Sequence, residues 1–164
     1  NLIKKDFFVI FRPHPEIIKR NKKRFNEIIN IFKNNENFII DNNSSNIESM
    51  EKASILITDN SSIAIEYSFV FYRPVVFIDY KDKIHNKNFN KIKKTTFESE
   101  FRSEIGISIT NNQIQNLGQV CSEAISLSMT NNDKIENIKK KYLSNVSNAA
   151  NVASKILLEK NFTY

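Results

Sequence analysis

Ala53-Ser54-Ile55-Leu56-Ile57-Thr58-Asp59-Asn60-Ser61-Ser62-Ile63-Ala64-Ile65-Glu66-Tyr67 carries three local signals in succession. Residues 55–58 are an apolar, β-branched run that reads as a strand. Asp59-Asn60 stops it, and Ser61 and Ser62, favoured at helix starts, open a helix through about Phe71. Arg73-Pro74 then breaks that helix, and Val75-Val76-Phe77-Ile78 is a further strand running into Asp79-Tyr80. Strand, helix and strand in this order predict a parallel βαβ unit.

The same alternation extends in both directions. Upstream, Phe7-Phe8-Val9-Ile10-Phe11 predicts a strand buried on both faces and stopped by Arg12-Pro13-His14-Pro15. Residues 16–33 place Ile17, Ile18, Phe25, Ile28, Ile29 and Phe32 at near-helical spacing, which predicts one amphipathic helix. Residues 38–40 follow as a strand and 47–53 as a short helix. Downstream, the Lys- and Asn-rich residues 81–94 lack any period and read as a surface loop. Residues 106–109 predict a fifth strand, 112–127 an amphipathic helix, and 133–160 further helical sequence. The fold class is therefore α/β, a Rossmann-like parallel sheet flanked by helices, in which ligands bind beyond the carboxyl ends of strands.

Composition sets the outer limits. A chain of 164 residues with 40% hydrophobic content forms one domain, residues 1–164, with a real core. Its 13 Phe, 2 Gly and 3 Pro exclude a disordered tail and collagen-like repeats. Net charge is +6, which favours anionic partners such as phosphorylated ligands, nucleic acid or an acidic membrane surface. The lone Cys121 cannot pair within the chain, and no Cys/His spacing suits zinc, so the reading is a reducing, cytosolic compartment. No apolar run approaches the roughly 20 residues of a membrane span. Residues 1–6 lack the features of a signal peptide, and the absence of an initiator Met predicts a fragment of a longer protein.

Two polar clusters follow predicted strands directly, Arg12-Pro13-His14-Pro15 and Asp59-Asn60-Ser61-Ser62, and one parallel sheet would bring both to one edge and one cleft. Ser61 and Ser62 can offer hydroxyls and free backbone N–H groups to a phosphate at the positive end of a helix; plain N-capping is the competing reading. Glu66, one turn on, can accept from ribose hydroxyls or can be a solvated helix residue. His14 exchanges a proton near neutral pH and Arg12 can clamp phosphate oxygens, against the reading of a structural loop histidine between two prolines. His85 reads as an ordinary surface residue. Lys19-Arg20-Asn21-Lys22-Lys23-Arg24 reads as a solvated helix face, with nucleic acid or anionic lipid as the alternative. No Gly-rich phosphate loop and no G-x-S-x-G elbow is present.

Phe11-Arg12-Pro13-His14-Pro15, the stretch from Ala53 to Tyr67, and Tyr72-Arg73-Pro74-Val75-Val76-Phe77 together resemble the CDP-glycerol glycerophosphotransferase family, polymerases and primases of teichoic-acid-like cell-surface polymers. The resemblance runs from about Phe7 to Ile109 and includes Asn86-Lys87, Arg102 and Gly106. It implies the C-terminal, donor-binding half of a two-domain GT-B fold. It also implies Ser61 and Ser62 on the donor diphosphate, Glu66 near the ribose, Asp59 and Asn60 shaping the turn, and Arg12 and His14 beside the reacting phosphorus. The implied reaction is attack by an acceptor hydroxyl on CDP-glycerol with release of CMP, in capsule or wall polymer synthesis. A second essential histidine of the family lies in an N-terminal domain absent from this chain, so the chain alone is expected to bind donor without turnover. The family often carries Tyr where this chain has Asn60, which leaves the donor base and sugar open.

The resemblance further implies a polymer or lipid-linked acceptor, work at the cytoplasmic face of the membrane with peripheral contact, and no nucleic acid. A Mg²⁺ ion could assist the diphosphate, but no paired-acid motif demands one. The alternatives are a GT-B glycosyltransferase or epimerase using a UDP-sugar, or a non-enzymatic basic module on nucleic acid or anionic membrane.

Overall fold

The computed structural model describes residues 2–79, 88, 91, 97–128 and 132–159. The chain runs β1 (Val9–Phe11), α1 (Pro15–Arg20), α2 (Lys22–Phe32), β2 (Phe38–Ile40), α3 (Ile47–Lys52), β3 (Leu56–Thr58), α4 (Ile63–Phe71) and β4 (Val75–Asp79). It continues through α5 (Phe97–Ile105), β5 (Gly106–Thr110), a 3-10 stretch (Asn111–Asn116), α6 (Leu117–Ser128), α7 (Asn132–Tyr142) and α8 (Ala149–Glu159). Among the described residues every strand pairing is parallel: β1 with β2, β3 with β4, and β4 with β5. The Rossmann-like α/β class read from the sequence is the fold observed.

The strands form two ladders, β1-β2 and β3-β4-β5, where the sequence suggested one sheet. The short strands explain the split. β1 has three residues and bonds to β2, while β3, also three residues, bonds to β4. Side chains join the two parts instead: Leu2 and Phe7 pack against the core formed by Val76, Ile109, Leu117, Cys121 and Ala124. β1 is also only half-buried, not covered on both faces, and Phe8 beside it is 55% exposed.

β4 is buried on both faces. Val75 and Phe77 join the core made with α4, α5 and α7, while Val76 joins the core beneath α6. Full burial of side chains of this size contributes about 1.5–3 kcal/mol each, so β4 fixes the central layer. Its partner β5 begins at Gly106, opposite Val75, where a Cβ would lie 2.0 Å from the Val75 carbonyl oxygen. Only glycine admits that approach. Cys121 is buried beneath the sheet, and burial pushes its thiol up to about 11, which keeps it protonated and inert at neutral pH.

The single helix expected over residues 16–33 is two. Asn21 (φ −138°, ψ 54°) leaves the helical region, ends α1, and caps α2 by accepting from the Arg24 N–H at 3.2 Å. Its short amide competes with the helix backbone, which the apolar periodicity does not reveal. α5 had no counterpart in the sequence reading, although Phe97, Phe101 and Ile105 recur every fourth residue. The expected loop at 81–94, with His85 and Asn86-Lys87, lies outside the described residues apart from Asn88 and Lys91.

The stretch from Ala53 to Tyr67 is braced at its start. The Tyr67 hydroxyl donates to the Ala53 carbonyl at 2.6 Å, and Arg73 Nη1 reaches the same carbonyl at 2.6 Å and that of Glu51 at 2.5 Å. Arg73 thereby satisfies the C-terminal carbonyls of α3 that the helix leaves unpaired. At the other end, Tyr72 closes α4 in the left-handed region (φ 56°), and its hydroxyl bonds Glu136 of α7. Lys139 completes that contact at 3.0 Å from Glu136 and lies over the Tyr72 ring. These ties pin the helix that begins at the serines.

Candidate functional site

β3 ends at Thr58, Asp59 and Asn60 form an exposed bend, and α4 begins at Ile63 with Ser62 as its N-cap residue. Ser62 makes no side-chain capping bond. The first intrahelical bonds run from the Ala64 N–H to the Ser61 carbonyl (3.2 Å) and from the Ile65 N–H to the Ser62 carbonyl (3.0 Å). The capping that sequence alone could not exclude is therefore not what occupies the Ser62 hydroxyl. Ser61 is half-buried, Ser62 exposed, and Glu66 exposed in the first turn of α4. Positive helix-end potential and an uncommitted hydroxyl make this turn suited to an anion.

Arg102 of α5 stands against the turn. Nη1 donates to Asn60 Oδ1 at 3.0 Å, Nη2 pairs with Asp79 at the end of β4, and the Ser108 hydroxyl of β5 lies at 3.5 Å. The guanidinium carbon sits 4.5 Å from the centre of the Phe77 ring. One side chain thus links β4, β5 and the bend after β3. Sequence reading reached Arg102 only through the family resemblance, because α5 itself went unread.

The Arg12 and His14 cluster follows β1. Arg12 Nη1 pairs with Asp41 at 2.6 Å, and Nη2 donates to the carbonyls of Asn43 (2.7 Å) and Ser44 (3.2 Å). Asp41, buried just after β2, also accepts from the Asn43 N–H at 2.9 Å and from the Ser49 hydroxyl of α3. Arg12 therefore stitches the loop after β1 to the loop after β2. Asp41 and Ser49 were not singled out from the sequence, although Asp41 ends a strand as Asp59 does. His14 is exposed and is the N-cap of α1, its Nδ1 accepting from the Glu16 N–H at 3.2 Å between two prolines that fix the backbone. With Nδ1 accepting, a neutral ring carries its proton on Nε2.

Each cluster lies at the C-terminal end of a strand in its own ladder. Among the described residues, no hydrogen bond or ion pair joins Arg12 or His14 to Ser61, Ser62 or Glu66. A cavity of about 210 Å³ lies at the opposite ends of the strands, against Pro74 and Gly106, away from both clusters. No group of three or more His, Cys, Asp or Glu side chains converges as a metal site among the described residues. No described helix is long and apolar enough to cross a membrane.

The Ser49 hydroxyl, the Asn43 N–H and Arg12 hold the Asp41 carboxyl down to about 2. Since this lies below its ordinary value of 3.8, Asp41 stabilises the fold fully above that value, and the contribution is lost as pH falls toward about 2. Acid unfolding should therefore show the protein losing stability across that window. Asp41→Asn should start less stable at neutral pH and lose less on acidification, whereas parallel curves for the two proteins would contradict the assignment.

The sequence model of the CDP-Glycerol:Poly(glycerophosphate) glycerophosphotransferase family matches residues 1–156. The chain belongs to that family. No curated protein and no solved structure matches it significantly. Membership makes the function of the glycerophosphotransferase type, with a nucleotide-activated donor and a polymer acceptor in general. Within the family resemblance, Arg73 and Tyr67 have structural work, tying α4 and the chain after it to the end of α3, while the Ser62 hydroxyl makes no capping bond.

Proposed function

We propose that this chain is the donor-binding domain, the C-terminal half of a GT-B architecture, of an enzyme that transfers glycerol phosphate from CDP-glycerol to a growing cell-surface polymer. Ser61 and Ser62 hold the diphosphate with the N-terminal N–H groups of α4, Glu66 accepts from the ribose hydroxyls, and Asp59 and Asn60 shape the turn. The observation that carries this reading is the family match over residues 1–156, taken with a Ser62 hydroxyl left free at the start of α4.

An acceptor hydroxyl oxygen forms the new bond to the glycerol-bearing phosphorus as its proton is released to solvent, and the bond from that phosphorus to the bridging oxygen breaks, so that CMP carries away the electron pair. Charge grows on the phosphoryl and bridging oxygens, and fixed donors there lower the barrier. His14, as the imidazolium, donates its Nε2 proton to the bridging oxygen as CMP leaves. Arg12, with Nη1 and Nη2 already engaged, acts by holding the His14 loop and by its fixed positive charge. The +6 net charge suits an anionic lipid-linked acceptor at the cytoplasmic membrane face.

Calorimetric titration with CDP-glycerol, CMP, UDP-N-acetylglucosamine and inorganic diphosphate tests the reading. CDP-glycerol is expected to bind most tightly and saturably. A preference for the UDP-sugar would instead make the chain a glycosyltransferase-like donor domain, and binding that collapses steeply with salt for every polyanion would mark a nonspecific basic surface.

A further inference from the structure

We propose that Arg102 is a positioning residue for the donor diphosphate: it fixes the Ser61-Ser62 turn through Asn60. The inference rests on the proposed role of those serines and extends it to a residue that touches no donor atom.

The turn needs an external brace. Asp59 and Asn60 are exposed, β3 has only three residues before them, and Ser62 makes no side-chain capping bond. A loop so weakly held would lose donor affinity by sampling other conformations, since ordering it costs free energy at binding. Arg102 supplies the missing restraint from a rigid base. Its guanidinium lies over the buried Phe77 ring, and Asp79 fixes one end of the fork, which leaves Nη1 aimed at Asn60 Oδ1 at 3.0 Å. The side chain is only 18% exposed, so the fork is largely shielded from water. A planar, two-pronged donor is required, because one prong holds Asp79 and the other Asn60; lysine has no such fork.

The pair also gives Asn60 a purpose. Its short amide places an acceptor oxygen within reach of the Arg102 guanidinium. The carboxylate of Asp79 balances the arginine charge, so Arg102 is engaged before any phosphate arrives.

The test combines amide hydrogen exchange with CDP titration on the unsubstituted protein, Arg102→Ala, Arg102→Lys, Asn60→Ala and the Arg102→Ala/Asn60→Ala pair. Exchange is read at Ala64 and Ile65, whose N–H groups bond the carbonyls of Ser61 and Ser62. Each single alanine variant should speed exchange there and weaken CDP binding by about tenfold, the size expected for losing a hydrogen bond to a charged group. In Asn60→Ala, where Arg102 still holds Asp79, exchange in β4 and β5 should stay unchanged. The double variant should be no worse than Arg102→Ala, and lysine should not rescue. Unchanged exchange at Ala64 and Ile65, additive single effects, or rescue by lysine would overturn the proposal. Asn60→Ala alters only an exposed bend, so it decides even if Arg102→Ala fails to fold. Absence of CDP binding by the unsubstituted protein would remove the donor reading, and with it the purpose assigned to Arg102, while the exchange data would still report whether Arg102 holds the turn.

Discussion

Replacing His14 by alanine should lower the turnover of the proposed transferase by about 10²- to 10⁴-fold, the range for a positioned proton donor, and leave donor affinity nearly unchanged. The geometry explains the separation. Nδ1 is tied to the Glu16 N–H, and Pro15 fixes the helix start, so the ring is held with Nε2 outward from the cap bond. A histidine at an N-cap has a structural use as well, and the two uses predict different outcomes for His14→Asn. Asparagine is a strong N-cap residue and would restore the bond to Glu16, but it has no group that titrates near neutrality. Full activity in His14→Asn would show that the cap alone matters; loss matching the alanine variant would assign the effect to the imidazole.

Gly106→Ala should destabilise the domain by about 3 kcal/mol, at the upper end of overpacking costs, which corresponds to a melting temperature lower by about 6–12 °C. The obstruction is backbone: the new methyl would meet the Val75 carbonyl oxygen at 2.0 Å and its carbon at 2.8 Å, so β5 must move away from β4. Gly118 provides the contrast. There a Cβ would meet the Lys5 side chain at 2.8 Å, a flexible neighbour that can swing aside, and alanine favours the helix by about 1 kcal/mol over glycine. Gly118→Ala should therefore be neutral or stabilising. Thermal melts of the two variants check this, and equal shifts would refute the backbone argument.

Local patterns made most elements legible. Apolar runs bounded by Pro, Asp or Asn marked the five strands among the described residues, and the serine pair marked the start of α4, because these signals depend on residues within one turn of each other. What escaped depended on partners far along the chain. The break at Asn21 comes from one side chain capping α2, and the division into two ladders comes from which strands find each other. The site divides in the same way. Ser61, Ser62, Glu66, Arg12 and His14 could be picked out by type and position, whereas Asp41 and Ser49 gain meaning only when Arg12 reaches across 29 residues to pair with Asp41. Arg102 is a further case, lying 42 residues from the Asn60 it holds.

The measurement that bears most directly on the donor reading is the dissociation constant of CDP-glycerol for the unsubstituted chain and for Ser61→Ala/Ser62→Ala. Loss of hydroxyl bonds to a diphosphate should weaken binding by about 100-fold, with the melting temperature little changed because Ser62 makes no capping bond. An affinity equal in the two proteins would contradict the assignment of the diphosphate to this turn.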